Sequence, residues 1–228
     1  MGPQATLDLQ QKILDMTKAQ RDFEHLRVFV DNHPQIPDRI GAVLRNTQSP
    51  APAMQESLDK LTAMGADCVV MPCVSAHYFL QQLNIPPKVL FLNMLQITAQ
   101  ECAACFPGLK AGVLCSEATA QSGILTPYLE SFSIPHIYAQ ADYQRLLGRL
   151  ILEVKARADL HILSVSLRSV AEEMVSRGAD YFVLACTELP IIVQCEPLPY
   201  PYLDATVELA KAAILSCGYE IQGIGIRE

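Results

Sequence analysis

Apolar residues are spaced along this chain in two alternating patterns. In the first, they recur every three or four positions among polar neighbours, which predicts amphipathic helices. These helical runs cover residues 4–20, 51–64, 94–105, 124–132, 143–158, 160–177 and 206–216. In the second, short apolar runs predict strands at 26–30, 88–92, 111–115, 137–139 and 202–204. Alternation of this kind predicts an α/β protein with parallel sheets flanked by helices.

One combination of these elements occurs twice. Residues 65–73 read Gly-Ala-Asp-Cys-Val-Val-Met-Pro-Cys, and residues 178–186 read Gly-Ala-Asp-Tyr-Phe-Val-Leu-Ala-Cys. In each copy a helical run ends at a glycine, which can close a helix in the left-handed conformation, and a buried strand then leads to a cysteine. The sequence therefore predicts two related α/β units, each with a thiol at the carboxyl end of a strand. The stretch 116–123 is predicted to be a loop.

Composition narrows the class of protein. Half of the 228 residues are apolar, which is enough for a sizeable core in one domain or two. The net charge of −7, without any lysine- or arginine-rich run, argues against a nucleic-acid partner. No apolar run approaches the roughly 20 residues of a membrane-spanning helix, and the N-terminus lacks signal-peptide features, so we expect a cytoplasmic protein with no membrane partner. Most of the eight cysteines stand inside apolar runs, which favours reduced thiols.

The thiols at the strand ends are the first functional candidates. Ligands of open α/β sheets collect at the carboxyl ends of strands, where Cys73 and Cys186 are predicted to lie. Either cysteine taken singly could equally be a core residue, but their matched positions favour a functional role. Cys102 and Cys105 form a Cys-x-x-Cys pair without a second pair at zinc spacing, so no metal site is predicted.

Three motifs resemble the cofactor-independent aspartate/glutamate racemase superfamily, and within it the aspartate racemase branch. They are Val-Asp-Asn-His-Pro-Gln-Ile-Pro-Asp-Arg at 30–39, Met-Pro-Cys at 71–73 followed by Ala-His at 76–77, and Ala-Cys-Thr-Glu-Leu-Pro at 185–190. The resemblance covers nearly the whole chain. It implies two pseudo-symmetric α/β domains with the active site in the cleft between them, and no cofactor. We expect the first domain over 1–95, completed by 206–228, and the second over 96–205.

This resemblance also implies the chemistry. Racemisation removes a proton from one face of Cα and delivers another to the opposite face, so Cys73 and Cys186 would act as base and acid in exchangeable roles. Arg39 and Lys155 match the family positions that bind the distal carboxylate of an acidic amino acid, a task that suits a guanidinium and an ammonium group. From pattern alone, Lys155 reads more simply as an exposed helix residue.

Hydroxyl groups near the thiols supply further substrate-binding candidates. Ser75 and Thr187 follow the two cysteines, and the stretch 116–119 ends in Thr119. Hydroxyls and strand-end amides suit the α-carboxylate and ammonium group of an amino acid. Ordinary turn or capping chemistry is an equally good interpretation of these side chains.

Two ionisable residues stand close to the thiols in sequence. His77 lies four residues after Cys73, where it could tune the thiol or only cap or pack. Glu188 lies two residues after Cys186, where it could orient or oppose the thiolate. Both are therefore supporting candidates.

The chain departs from the family pattern at two places. The family usually carries Pro-Cys-Asn-Thr around its first thiol, whereas residues 72–75 here read Pro-Cys-Val-Ser. Val74 thus holds a substrate-binding position without an amide, so either a neighbouring group replaces the amide or the substrate is not a standard acidic amino acid. The family begins with a β-strand and a Gly-Gly-Met-Gly-Pro turn, whereas this sequence opens Met-Gly-Pro. We therefore expect the first domain to lack an inner strand and its neighbours to leave backbone groups unpaired.

Three hypotheses about function follow. The leading one is a racemase of a small acidic amino acid, aspartate before glutamate, that forms a homodimer as its relatives do. The second keeps the fold and thiols but acts on another small carboxylic acid or a hydantoin, as a racemase, isomerase or decarboxylase. The third is a binding protein that has lost catalysis, and the retention of both cysteines argues against it.

Overall fold

Helices and strands alternate throughout the computed structural model of this chain, which describes residues 2–222. The helices are α1 (Pro3–Met16), α2 (Arg39–Arg45), α3 (Ala51–Ala63), α4 (Met94–Cys105), α5 (Glu117–Ser122), α6 (Thr126–Ser131), α7 (Ala141–Lys155), α8 (Leu160–Ser176), α9 (Leu189–Cys195) and α10 (Ala205–Ser216). The strands are β1 (Cys68–Val70), β2 (Leu90–Leu92), β3 (Ala111–Cys115), β4 (His136–Tyr138), β5 (Tyr181–Ala185) and β6 (Tyr202–Asp204). Two 3₁₀ segments cover Asp22–Glu24 and Val74–Gln82.

The larger sheet has four parallel strands in the order β4-β3-β5-β6. Along β5, Tyr181 and Val183 face one buried cluster while Phe182 and Leu184 face another, because successive side chains of a strand point to opposite faces. The first cluster packs under α1, α4 and α10, and the second under α7, α8 and α9. Helices thus cover both faces, which explains the uninterrupted apolar sequence of β5.

The smaller sheet contains only β1 and β2, which are parallel. Two small clusters of buried apolar side chains lie near it, one around Met71 and Phe79 and one around Leu58 and Val69. Val70 and Leu92 of this sheet pack instead against the first cluster of the larger sheet. The predicted fold class, an α/β protein with parallel sheets flanked by helices, is confirmed. Within residues 2–222, no helix is long and apolar enough to cross a membrane.

The predicted glycine stops are confirmed in both copies of the repeat. Gly65 follows α3 with φ of +95°, and Gly178 follows α8 with φ of +87°. In each copy the next residue closes the helix by a bond spanning five positions: the Ala66 N–H donates to the Leu61 carbonyl, and the Ala179 N–H to the Met174 carbonyl, both at 3.0 Å. This is the Schellman closure, which requires a residue that tolerates positive φ.

The predicted strand over 26–30 is wrong. Its backbone pairs with no strand of the described chain, and Val28 and Val30 are 47% and 42% exposed. Phe29 and Val70 line a shared apolar groove that separates this segment from the open edge of β1. A strand is defined by backbone hydrogen bonds to a neighbouring strand. Because the groove lies between this segment and β1, the two do not form such bonds.

Two further element predictions need correction. The stretch 116–123 is not a loop, because it contains α5, which begins at a Ser116 cap that accepts the Thr119 N–H and ends at Gly123 with φ of +61°. The first helix ends at Met16 rather than residue 20. The Lys18 N–H instead donates to the Glu220 carbonyl, and the Gln222 N–H to the Met16 carbonyl.

The predicted domain limits stay a prediction. The helix α10, assigned from sequence to complete the first domain, packs against α1 and α4 and also contacts β1, β2 and β5. Residues 223–228 of that assignment lie outside the described residues.

Candidate active site

The two repeated thiols line the same cleft. Cys186 directly follows β5, whereas Cys73 follows β1 by three residues and begins the 3₁₀ segment Val74–Gln82. The predicted residues that line this cleft are Arg39, Cys73, Val74, Ser75, Lys155, Cys186, Thr187 and Glu188. The cleft thus collects side chains from the carboxyl ends of strands in both sheets, where parallel α/β proteins bind their ligands.

Cys186 has a carboxylate partner. Its thiol donates a hydrogen bond to Glu188 Oε2 at 3.1 Å, and the Thr187 hydroxyl donates to the same oxygen at 3.3 Å. Glu188 is buried, only 7% exposed, and its Oε1 lies 3.4 Å from Lys155 Nζ. Burial, followed by the negative charge of Glu188, raises the pKa of Cys186 well above its usual value, since both oppose a thiolate.

Cys73 has a different environment. In the described chain, no hydrogen bond joins its sulfur to another group, and its backbone is held instead. The Met94 N–H donates to His77 Nε2 at 3.2 Å, so Nδ1 carries the ring proton and donates to the Cys73 carbonyl at 2.9 Å. Burial lowers the pKa of His77 to about 4, which keeps the ring neutral near pH 7. His77 therefore ties the thiol's backbone to the start of α4.

Three buried hydroxyl groups meet beside the first thiol. The Ser75 hydroxyl lies 2.9 Å from that of Ser116 and 3.2 Å from that of Thr119, and the latter two are 3.1 Å apart. Ser75 and Ser116 line the cleft, whereas Thr119 lies behind them, fully buried. Because a hydroxyl can both donate and accept, the cluster can turn its protons toward a bound carboxylate or ammonium group.

Two cations line the cleft, each from a different helix. Arg39 is the first residue of α2, and one of its terminal nitrogens donates to the Ile36 and Pro37 carbonyls at 3.1 Å each. Its Nε is buried without a hydrogen-bond partner in the described chain. Lys155 is the last residue of α7, where its side chain is 38% exposed. The braced guanidinium and the more exposed ammonium group can both meet an anionic ligand.

Sequence reasoning missed some residues of the cleft. Ile151 lines it one helical turn before Lys155, a spacing of four that places both on one face of α7 and could have identified it. Gly2 also lines it, and a Cβ at that position would lie 3.3 Å from Glu188 Oε1. No pattern in the sequence indicates that approach. Val74 is buried, both lining the cleft and packing in the core under the larger sheet.

The fold and cleft define a class of α/β proteins with two parallel sheets, and comparisons with known proteins identify the family. Residues 1–213 match the family model described as Asp/Glu/Hydantoin racemase. The chain therefore belongs to this family, and the family predicted from the three motifs is confirmed.

Individual relatives agree over nearly the full length. The aspartate racemase of Picrophilus torridus is 31% identical, with a TM-score of 0.87 over 97% of this chain and 92% of that one. An aspartate racemase homologue from Pyrococcus horikoshii shares the fold, at 18% identity and a TM-score of 0.70 over 94% of each chain. The broad specificity amino-acid racemase RacX of Bacillus subtilis is 24% identical over 220 residues, 94% of this chain and 93% of that protein.

Proposed function

We propose that this protein racemises an acidic amino acid, with aspartate as the preferred substrate: one of Cys73 and Cys186 removes the Cα proton, and the other delivers its own proton to the opposite face. The observation that carries the proposal is that the thiols of two matching repeats line one cleft. Family membership supports racemase chemistry, and the aspartate racemase of Picrophilus torridus supports the choice of substrate.

The reaction needs one base and one acid on opposite faces of Cα. One cysteine, as a thiolate, takes the Cα proton, and the electron pair left behind spreads into the α-carboxylate as an enediolate. The other cysteine, as a thiol, then gives its proton to the opposite face. The buried hydroxyls of Ser75 and Ser116, which line the cleft, are candidate donors to the developing negative charge. No pyridoxal cofactor enters this scheme.

The choice of substrate depends on the two cations. Arg39 and Lys155 lie in the same cleft as the thiols, and together they can hold the distal carboxylate that distinguishes aspartate from a neutral amino acid. A second candidate is racemisation of several amino acids, including neutral ones. Val74 and Ile151 give the cleft apolar contacts, and RacX has broad specificity.

Hydrogen exchange at Cα tests both candidates. The purified protein is incubated in deuterated water with L-aspartate, L-glutamate or L-alanine, and loss of the Cα proton is followed by NMR. We expect exchange with aspartate above all, and its loss in both Cys73→Ala and Cys186→Ala. Comparable exchange with alanine would favour the second candidate.

The controls are cysteine substitutions outside the cleft. Cys105→Ala and Cys195→Ala remove exposed thiols and should leave exchange intact. Undiminished exchange in either cleft variant would contradict the two-thiol scheme. No exchange with any acidic amino acid would overturn the proposal.

A further inference from the structure

The two thiols of the cleft differ in what surrounds them. The sulfur of Cys186 lies 3.1 Å from a buried carboxylate oxygen of Glu188, whereas the sulfur of Cys73 has no hydrogen-bond partner among residues 2–222. The His77 imidazole contacts the carbonyl oxygen of Cys73 rather than its sulfur. A symmetric scheme, in which either thiol serves equally as base, does not match this asymmetric pair.

A carboxylate that accepts a hydrogen bond from a thiol opposes loss of the thiol's proton, because two anions would then face each other at short range. Burial strengthens the effect, since little water screens the pair. The other charged groups that line the cleft are Lys155 from α7 and, at the start of α2, Asp38 and Arg39. The positive charge of Lys155 favours the Cys186 thiolate and so opposes the effect of Glu188. The Asp38 carboxylate accepts hydrogen bonds from the N–H groups that begin α2.

We propose that Glu188 is a positioning residue that keeps the proton on Cys186, so that the resting enzyme begins with Cys73 as the base and Cys186 as the acid. This inference rests on the proposed racemase function. Its geometric basis is the hydrogen bond from Cys186 to Glu188, the burial of that carboxylate, and the absence of a matching acceptor for Cys73 within the described chain.

The protons balance over one turnover. The Cys73 thiolate takes the Cα proton and becomes a thiol, and Cys186 gives its proton to the carbanion and becomes a thiolate. That thiolate faces Glu188 and is short-lived, with the Lys155 ammonium group offsetting the second negative charge. After product leaves, Cys186 regains a proton from water and Cys73 returns one to water, which restores the resting form.

This assignment means that the resting enzyme reacts directly with only one of the two enantiomers. The enantiomer whose Cα–H bond faces Cys73 meets the resting form directly, whereas the other must wait for the two thiols to exchange protons through water. Because the free enantiomers have equal free energies, kcat/KM is the same in both directions. The difference between the two enantiomers therefore appears as a change of kcat and of KM by the same factor, which leaves their ratio equal.

Thiol alkylation tests the inference without any substrate. The protein is treated with iodoacetamide across a pH series, and the rate at each cysteine is measured by mass spectrometry and scaled to its own plateau at high pH. We expect Cys73 to react at lower pH than Cys186. In Glu188→Gln the midpoint of Cys186 should fall by about one pH unit or more, a tenfold rise in thiolate at a given pH, while Cys73 is unchanged.

Two further variants keep the test decisive. Lys155→Gln should move the Cys186 midpoint in the opposite direction, to higher pH, which loss of structure would not produce. Glu172→Gln removes an exposed carboxylate of α8 and should move neither midpoint.

An unchanged Cys186 midpoint in Glu188→Gln, or a wild-type Cys73 that reacts at higher pH than Cys186, would overturn the inference. If the protein exchanges Cα protons but Cys186 reacts at lower pH than Cys73, this inference alone is refuted. If Cys73 reacts at lower pH but no exchange occurs, the proposed function alone is refuted.

Discussion

The two copies of the repeat share the order of helix, glycine turn, strand and thiol but differ in their surroundings. In both, a helix closes at a glycine with positive φ and a parallel strand leads to a thiol in the cleft. The second strand, β5, has five fully buried residues between two neighbouring strands. The first, β1, has three residues and one neighbour. The same local sequence signal thus builds the same turn, while tertiary context decides how firmly the thiol is held and which groups surround it.

The groups that hold each thiol differ as well. Four residues after Cys73 stands His77, a buried neutral imidazole that bonds the thiol's own carbonyl. Four residues after Cys186 stands Pro190, and the partner is instead Glu188, which contacts the sulfur directly. One copy is therefore fixed through its backbone, and the other through its reactive atom.

The largest effect on stability that we expect comes from His77. Its pKa in the folded protein is about 4, below the ordinary value of 6.5, because burial disfavours the charged ring. The unfolded chain therefore binds the proton more readily. The neutral ring therefore contributes its full stabilisation of the folded protein above about pH 6.5. As the pH falls toward about 4, this contribution to the free energy of unfolding is lost, by about 3 kcal/mol in all. Urea unfolding at a series of pH values measures it.

His77→Asn should remove this pH dependence, because asparagine offers the Cys73 carbonyl an N–H donor but does not titrate. His161→Asn is the matched control, since its side chain is 75% exposed, and it should retain the wild-type dependence. If His77→Asn kept the full loss of stability toward pH 4, the acid sensitivity would lie elsewhere than in the first copy.

Much of the fold followed from sequence, and the exceptions have physical causes. The helix 94–105 and the strands 111–115 and 202–204 were predicted with their observed bounds. In the helix and in strand 111–115, the apolar positions match the buried ones. The segment 26–30 has the composition of a strand, but pairing depends on a distant neighbour that its own residues do not encode. The helix α5 is too short for a periodic pattern, although Ser116 and Gly123 carry its end signals.

The candidate site shows the same limit. The motifs identified the thiols and Arg39, the family resemblance added Lys155, and the structure brings all four into one cleft. The ion pair of Lys155 with Glu188 joins α7 to the chain after β5, and no local pattern indicates it. The preference for aspartate over other substrates stays a prediction. Val74, which stands where the family usually has asparagine, borders both the cleft and the core.

A smaller effect tests the difference in packing between the copies. Val183 and Val70 occupy the same position of the repeat, but Val183 is fully buried between β3 and β6, whereas Val70 is partly exposed at the edge of β1. Val183→Ala should lower the free energy of unfolding by about 2 kcal/mol, from two lost methyl groups and the cavity they leave. Val70→Ala should cost about 1 kcal/mol or less. Equal losses in urea unfolding would mean that the two strands are equally well packed.

The smallest effect tests what the copies share. Gly65 and Gly178 both have positive φ, where alanine costs about 1–2 kcal/mol. A Cβ at Gly65 would meet nothing within 4 Å, and one at Gly178 would meet only the flexible end of Lys110, so Gly65→Ala and Gly178→Ala should destabilise by similar amounts. Gly148→Ala is the control, because this residue lies inside α7 with open space around it, and alanine should stabilise the helix by about 0.5–1 kcal/mol. Unequal losses at the two repeat glycines would show that even the shared turn depends on the sheet to which it leads.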